Sequence, residues 1–178
     1  PGLVLFSSGT SGEPKGAVHD FCYLLEKFRV RRTALTTINF LLFDHWGGLN
    51  TMLHTLSNQA TVVTVPDRSP QTVCSLIERY SINLLPATPT FLNLLLLSGV
   101  YKQFDMSSLR VISYGTEPMQ QSTLDRLRNA FPDVKLQQTY GLIEVGVLRS
   151  KSKHDGSLWL KIGGEGYETR IVDGILHI

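Results

Sequence analysis

Short continuous apolar runs alternate along this chain with stretches in which apolar residues recur every three or four positions. Leu3, Val4, Leu5 and Phe6 form one such run between turn residues, the pattern of a buried strand. Val18 to Arg31 follows with Phe21, Leu24, Leu25 and Phe28 at helical spacing and predicts a helix. "INFLLF" (Ile38 to Phe43) reads as a buried strand, followed by a Gly-rich bend and a helical stretch, Leu49 to Leu56. "ATVVTV" (Ala60 to Val65) is the next strand. Ser69 before Pro70 supplies the cap and first turn of a helix whose inward stripe is Val73, Leu76, Ile77 and Tyr80. "INLLPA" is another strand, and Thr88 with Pro89 repeats the capping device ahead of Phe91, Leu92 and Leu95. "LRVISYG" (Leu109 to Gly115) and "VKLQQTYG" (Val134 to Gly141) are further strands. Between them a helix near Gln120 to Phe131 turns Leu124, Leu127 and Phe131 inward.

Repeated strand–helix–strand units predict an α/β fold, a mainly parallel sheet with flanking helices and right-handed crossovers. From Gly156 the pattern changes. Alternation and an Asp173-Gly174 turn signal predict a short antiparallel C-terminal β segment. The expected division is an α/β core over residues 1–150 and the start of a β subdomain over 151–178. Pro1 lies directly before a strand and Ile178 within one, so the chain is expected to be an excised piece of a longer protein.

Composition narrows the function classes. With 178 residues, 42% hydrophobic and 18% charged, the chain is globular with ample core. Seventeen basic against fifteen acidic residues exert no general pull on nucleic acid, and Lys27, Arg29, Arg31 and Arg32 read as a solvated helix end. Cys22 and Cys74 lack the spacing of a disulfide or metal framework and are expected to be small core residues. His19, His45, His54, His154 and His177 show no zinc-like spacing. The most apolar stretch, "LLPATPTFLNLLLLSGV", is interrupted by Pro86, Pro89 and Asn93, so no membrane span is expected and a cytoplasmic location is.

The chemistry concentrates in loops. In "SSGTSGEPKG", Ser7, Ser8, Thr10 and Ser11 offer hydroxyls, Gly9, Gly12 and Gly16 free the backbone, and Lys15 adds a positive charge. Exposed N–H groups, hydroxyls and an ammonium make a concave anion site suited to a polyphosphate. A flexible polar connector is the plain alternative. The Walker pattern is not met, because Lys15 follows Pro14 and precedes Gly16. "SYGTEPM" (Ser113 to Met119) and "QQTYGLIEVG" (Gln137 to Gly146) complete the set. All three loops are expected at the carboxyl edge of a parallel sheet, where α/β proteins hold ligands. Tyr140 gives an aromatic face, Gly141 a permissive joint and Glu144 a carboxylate, which together suit a nucleoside triphosphate with Mg²⁺.

On these motifs the chain resembles the adenylate-forming (AMP-binding) superfamily of acyl-CoA synthetases, fatty-acyl-AMP ligases, peptide-synthetase adenylation domains and luciferases. "SSGTSGEPKG" matches the family's phosphate loop, while "GTEPM" and "YGLIE" approximate its adenine loop and its YGxTE motif. "FDHWGG" is similar to its acyl-pocket segment. The phosphate loop is the most specific of these matches, and the likeness runs over essentially the whole chain, as a central fragment of the family's large N-terminal domain.

The resemblance implies an ATP-dependent acid–thiol ligase. A carboxylic acid attacks the α-phosphate of ATP to give acyl-AMP, and CoA or the phosphopantetheine of an acyl or peptidyl carrier protein then displaces AMP. Ser7, Ser8, Gly9, Thr10, Ser11, Gly12 and Lys15 would hold the β- and γ-phosphates, with Lys15 and Glu144 as catalytic residues. Gly115, Thr116 and Glu117 would border the adenine, Tyr140 beside Gly141 would stack on it, and Glu144 would hold Mg²⁺. His45, Trp46 and Gly47 would line the entrance for the acid. Two positions depart from the pattern: Ile143 stands where the family has Thr or Ser, and Thr116 where it has a second glycine. Ile143 keeps a second reading open, a nucleotide-binding or scaffold module that has lost adenylation chemistry. The isolated fragment is expected to be inactive.

Overall fold

The computed structural model describes residues 1–7, 12–154, 156–163 and 167–178. Its first apolar run does not feed a helix. β1 (Gly2–Ser7) pairs antiparallel with β2 (Lys15–Asp20), Ser7 opposite Lys15. Only Leu5 of β1 is buried; Phe6 and Val18 are 66% and 77% exposed, so this is a ribbon covered on one side and not the buried strand expected. The predicted helix is shortened at both ends. Asp20 accepts from the backbone N–H of Cys22 and Tyr23, which ends the strand and caps α1 (Phe21–Glu26). That phase turns Leu24 inward and leaves Cys22 exposed, against the expectation of a core cysteine.

The main sheet follows the alternation in the sequence. Its elements are β3 (Thr37–Asn39), α2 (Trp46–Ser57), β4 (Val62–Thr64), α3 (Pro70–Tyr80), β5 (Leu84–Ala87), α4 (Pro89–Ser98), β6 (Val111–Tyr114), α5 (Gln121–Ala130) and β7 (Lys135–Gln138). The five strands are all parallel, in the order β4-β3-β5-β6-β7. β3 is shorter than its apolar run. The Asn39 amide donates to the Leu41 carbonyl, and Leu42 and Phe43 lie exposed beyond it.

Both capping devices form as read. Ser69 Oγ accepts from Thr72 N at 3.2 Å, and Thr88 Oγ1 from Phe91 N at 3.2 Å. Val73, Ile77, Leu92, Leu95, Ile112, Leu124 and Leu127 then have no exposed surface, and each contributes at most about 1.5–3 kcal/mol by burial. Tyr80 leaves the predicted stripe because α3 ends at Ser81 in a left-handed conformation, and its ring lies exposed with Arg79 over it. Cys74 joins the core, and burial pushes its thiol up to about 11.

One strand pairing is incomplete. β5 pairs with β6 along its whole length but meets β3 only at Thr37 and Leu84. Pro86 has no N–H to give β3, so these neighbours are joined at their amino ends alone. The strand order also reverses direction here, which is where α/β sheets form a ligand crevice.

Beyond the sheet come antiparallel pairs: β8 (Tyr140–Leu142) with β9 (Gly146–Leu148), β10 (Ser150–Ser152) with β11 (Leu160–Ile162), and β12 (Arg170–Val172) with β13 (Ile175–His177). Asp173 and Gly174, at φ 50° and 78°, make the expected hairpin turn between the last two. Among the described residues no helix is long and apolar enough to cross a membrane.

The start of α2 is a tight turn. A Cβ on Gly48 would overlap the Leu42 backbone carbonyl, which cannot swing away as a side chain can. Gly48→Ala should therefore destabilise the fold by about 2–3 kcal/mol despite alanine's better helix propensity. A denaturation midpoint equal to wild type would contradict this.

Candidate functional site

The residues singled out by sequence assemble in two groups. The first lies at the carboxyl ends of β6 and β7. Thr139, between β7 and β8, donates its backbone N–H (2.8 Å) and its hydroxyl (3.1 Å) to the Tyr114 carbonyl. A Cβ on Gly115 would lie 2.7 Å from the Thr139 carbonyl oxygen, so only glycine allows this approach. Gly115 and Thr116 are thereby brought beside the strand that begins with Tyr140.

Thr116 sits at φ 69°, a left-handed backbone a β-branched residue rarely adopts. Glu117 reaches the first turn of α4, where its Oε2 accepts from Thr90 N at 3.0 Å and from Thr90 Oγ1 at 2.6 Å. Negative charge is favourable at that helix end. The loop read as an adenine border is thus tied to α4 by its own carboxylate.

The second group surrounds the turn between β8 and β9. Gly141 faces Gly146 so closely that a Cβ would lie 2.7 Å from the Gly146 carbonyl oxygen. Glu144 is exposed in that turn, and no hydrogen bond or ion pair involves its carboxylate among the described residues. Those residues also contain no group of three or more His, Cys, Asp or Glu side chains able to hold a metal. A lone free carboxylate is nonetheless what Mg²⁺ uses when phosphates and water supply its other ligands, so the donor set fits that ion.

Ile143 packs on a small apolar cluster of Leu5, Leu24, Trp46 and Leu49. Its backbone carbonyl accepts from His19 Nε2 at 2.8 Å and Trp46 Nε1 at 2.9 Å. Trp46 is 5% exposed, and the His19 and Trp46 rings lie nearly perpendicular, centroids 4.9 Å apart. Sequence reading did not single out His19 as a site residue. Its signal was weak: a polar residue near the end of a strand, whose partner lies 124 positions away.

His45 takes a local part. Its Nδ1 accepts from Gly47 N at 2.9 Å, capping α2. Gly47 itself is confined by the side chains of Leu41 and His45. Lys15 is exposed at the start of β2, and Ser7 Oγ donates to its carbonyl at 3.4 Å across the hairpin. Gly12 is at φ 92°. Ser8, Gly9, Thr10 and Ser11 lie outside the described residues. The first loop is thus the tip of a β-hairpin and not, as expected, a strand-to-helix crossing on the edge of the parallel sheet.

A cavity of about 350 Å³ opens beside this second group, lined by His19, Tyr23, Lys27, Trp46, Glu144 and Val147 among others. Much of Lys27 is solvent-accessible, but its ammonium is crowded. Nζ donates to Asn50 Oδ1 at 2.7 Å and lies 4.9 Å and 5.7 Å from the ring centres of Phe28 and Trp46. Desolvation lowers its pKa to about 8. His54 is lowered too, by burial first and then by the nearby charges of Arg32 and Lys27. The expected solvated basic face is therefore divided, with Lys27 turned toward a cavity while Arg29 pairs with Glu26 at 2.8 Å. Two buried acceptors, Asn39 Oδ1 and Gln138 Oε1, have no donor among the described residues, and both belong to the last residue of a sheet strand.

Comparison with known proteins agrees with this architecture. The family model described as AMP-binding enzyme matches residues 1–173, and the chain belongs to that family. It is 29% identical over 153 residues to 4-coumarate–CoA ligase-like 9 of Arabidopsis thaliana, covering 81% of this chain and 27% of that protein. It is 28% identical over 190 residues to acyl-CoA synthetase 7 of Caenorhabditis elegans, covering 96% and 35%. Among solved structures, the amide bond synthetase McbA of Marinactinospora thermotolerans superposes with a TM-score of 0.70 at 28% identity, covering 82% of this chain and 30% of that one. The chain thus spans roughly a third of the length of the curated relatives it matches.

Two outcomes follow from the geometry. At pH 8 Lys27 is about half deprotonated, against roughly 0.3% for an ordinary lysine, so a limiting amount of an acetylating ester should label it before the other lysines. Peptide mass spectrometry reads the order, and uniform labelling would contradict the assignment. Thr116→Gly should stabilise the protein by about 1 kcal/mol by relieving the left-handed strain, read as a raised denaturation midpoint.

Proposed function

We propose that this chain carries most of the nucleotide half-site of an ATP-dependent carboxylate-activating ligase, which forms acyl-AMP and then a thioester. The observation that carries the reading is the close approach of Gly115 to Thr139, which sets the Gly115–Glu117 loop beside the strand beginning at Tyr140, together with the hydrogen bond that joins the Glu144 turn to the hairpin bearing Lys15. Family membership supports the reaction class, and the relatives named as CoA ligase and acyl-CoA synthetase support CoA as the thiol. A carrier-protein acceptor, a cytoplasmic setting and residues 1–150 as the α/β core belong to the same proposal.

In this reading Lys15 meets the outer phosphates from the exposed end of β2, and the loop before it contributes amides and hydroxyls. Gly115, Thr116 and Glu117 border the base, whose face rests on Tyr140. Glu144 holds Mg²⁺, which when bound neutralises charge on the phosphates. His45, Trp46 and Gly47 at the head of α2 border the entrance for the acid. The chain's contribution is positioning and preorganised charge. Ile143 does not by itself argue for lapsed chemistry, because its side chain packs in the apolar cluster and its carbonyl, which any residue would supply, anchors the turn.

The test is carboxylate-dependent exchange of labelled pyrophosphate into ATP by the full-length protein. Exchange with at least one acid is expected, and silence across a broad panel of acids would overturn the reading in favour of a binding module. Lys15→Ala should weaken ATP binding at least tenfold more than AMP binding, as measured by titration calorimetry. Equal losses for the two nucleotides would remove Lys15 from the outer phosphates.

A further inference from the structure

The Ile143 carbonyl is an unusual junction. A carbonyl oxygen only accepts, so His19 Nε2 carries the hydrogen in its 2.8 Å contact, just as Trp46 Nε1 does at 2.9 Å. The two donors use both lone pairs of one oxygen. Three segments far apart in sequence end on that atom: the far end of β2, the first residue of α2, and the turn that presents Glu144.

β2 transmits position well. It is paired with β1 at all six residues, from Ser7 with Lys15 to Gly2 with Asp20, and His19 stands opposite Leu3 within that ladder. Lys15 and His19 therefore share one hydrogen-bonded rod, with the phosphate loop at one end and the Ile143 carbonyl at the other. Glu144 is the next residue after that carbonyl. Its side chain has no partner among the described residues, so the backbone on which it stands sets its position.

We propose that His19 is a positioning residue: its hydrogen bond to Ile143 locks the Glu144 turn to the hairpin bearing Lys15, so that carboxylate and ammonium are placed as one unit. The consequence for catalysis rests on the ligase reading above; the contact itself does not. His19 touches neither nucleotide nor metal in this scheme. Trp46 has the same partner but is also buried in the apolar cluster, so His19 is the donor whose removal reports on the lock.

The experiment compares His19→Phe, which keeps a ring against Trp46 and loses the donor, with His19→Gln, whose amide reaches the same oxygen. Hydrogen exchange of the full-length protein should quicken at least tenfold at residues 142–147 in the phenylalanine variant and less than threefold in the glutamine variant. Residues 84–98, in the core of the sheet, serve as the unchanged control. In pyrophosphate exchange, the Mg²⁺ concentration for half-maximal rate should rise about tenfold in His19→Phe and return to within threefold in His19→Gln, with the KM for the acid unchanged. If His19→Phe does not fold, His19→Asn, whose amide stops short of Ile143, takes its place.

Unchanged hydrogen exchange at 142–147, or a wild-type Mg²⁺ requirement in an active variant, would overturn the proposal and leave the ligase reading standing. Faster hydrogen exchange at 142–147 in His19→Phe, with no pyrophosphate exchange for any acid by the unsubstituted protein, would keep the lock and remove the ligase.

Discussion

Two side-chain donors, His19 and Trp46, meet on the Ile143 carbonyl, and the arrangement of the candidate site depends on that meeting. Neither β8–β9 nor β1–β2 belongs to the five-stranded sheet, so neither inherits its position from the sheet ladder. A two-stranded ribbon is marginally stable alone and needs something to pack on. Here the apolar cluster of Leu5, Leu24, Trp46 and Leu49 supplies the packing, and the doubly bonded carbonyl supplies direction. Hydrophobic contact by itself tolerates sliding and rotation; two hydrogen bonds to one oxygen do not.

The parallel sheet acts as a platform of a different kind. Its core is closed by fully buried Ile and Leu side chains on α3, α4 and α5, and capping residues fix where two of those helices begin. The edge that carries the candidate site is looser by construction. Pro86 withholds a hydrogen bond between β5 and β3, Thr116 holds a strained backbone, and two buried amide oxygens lack donors among the described residues. Departures from ideal packing gather at the carboxyl edge, where close approach of backbones (Gly115 on Thr139, Gly141 on Gly146) leaves room for polar groups to face outward.

Charge is managed sparingly. Lys27 sits at the rim of a cavity with an amide and two aromatic rings for neighbours, and the cost of that crowding appears as a lowered proton affinity. Glu117 is committed to α4, whereas the Glu144 carboxylate has no partner among the described residues. Two carboxylates that look alike in the sequence thereby acquire different chemistry, one as part of the scaffold and one as an available ligand.

The helices that carry the core were readable from the sequence because their causes are local. Ser69-Pro70 and Thr88-Pro89 fix helix starts within a few residues, and the apolar spacing of Leu124 and Leu127 needs no distant partner to define a face. The alternation of strands and helices likewise settled the parallel sheet. The opening stretch was different: Leu3 to Phe6 has the same apolar run whether it is buried on two faces or one, and only pairing with Lys15–Asp20 decided for a ribbon. Cys22 moved from core to surface with that choice. His19 acquired its place solely because folding brought a carbonyl 124 positions away to 2.8 Å, and no periodicity encodes a contact of that separation. Local steric and capping preferences act within a turn or two of the chain, so they write themselves into sequence; the meeting of distant ribbons is set by packing of the whole, and only the tertiary structure could supply it.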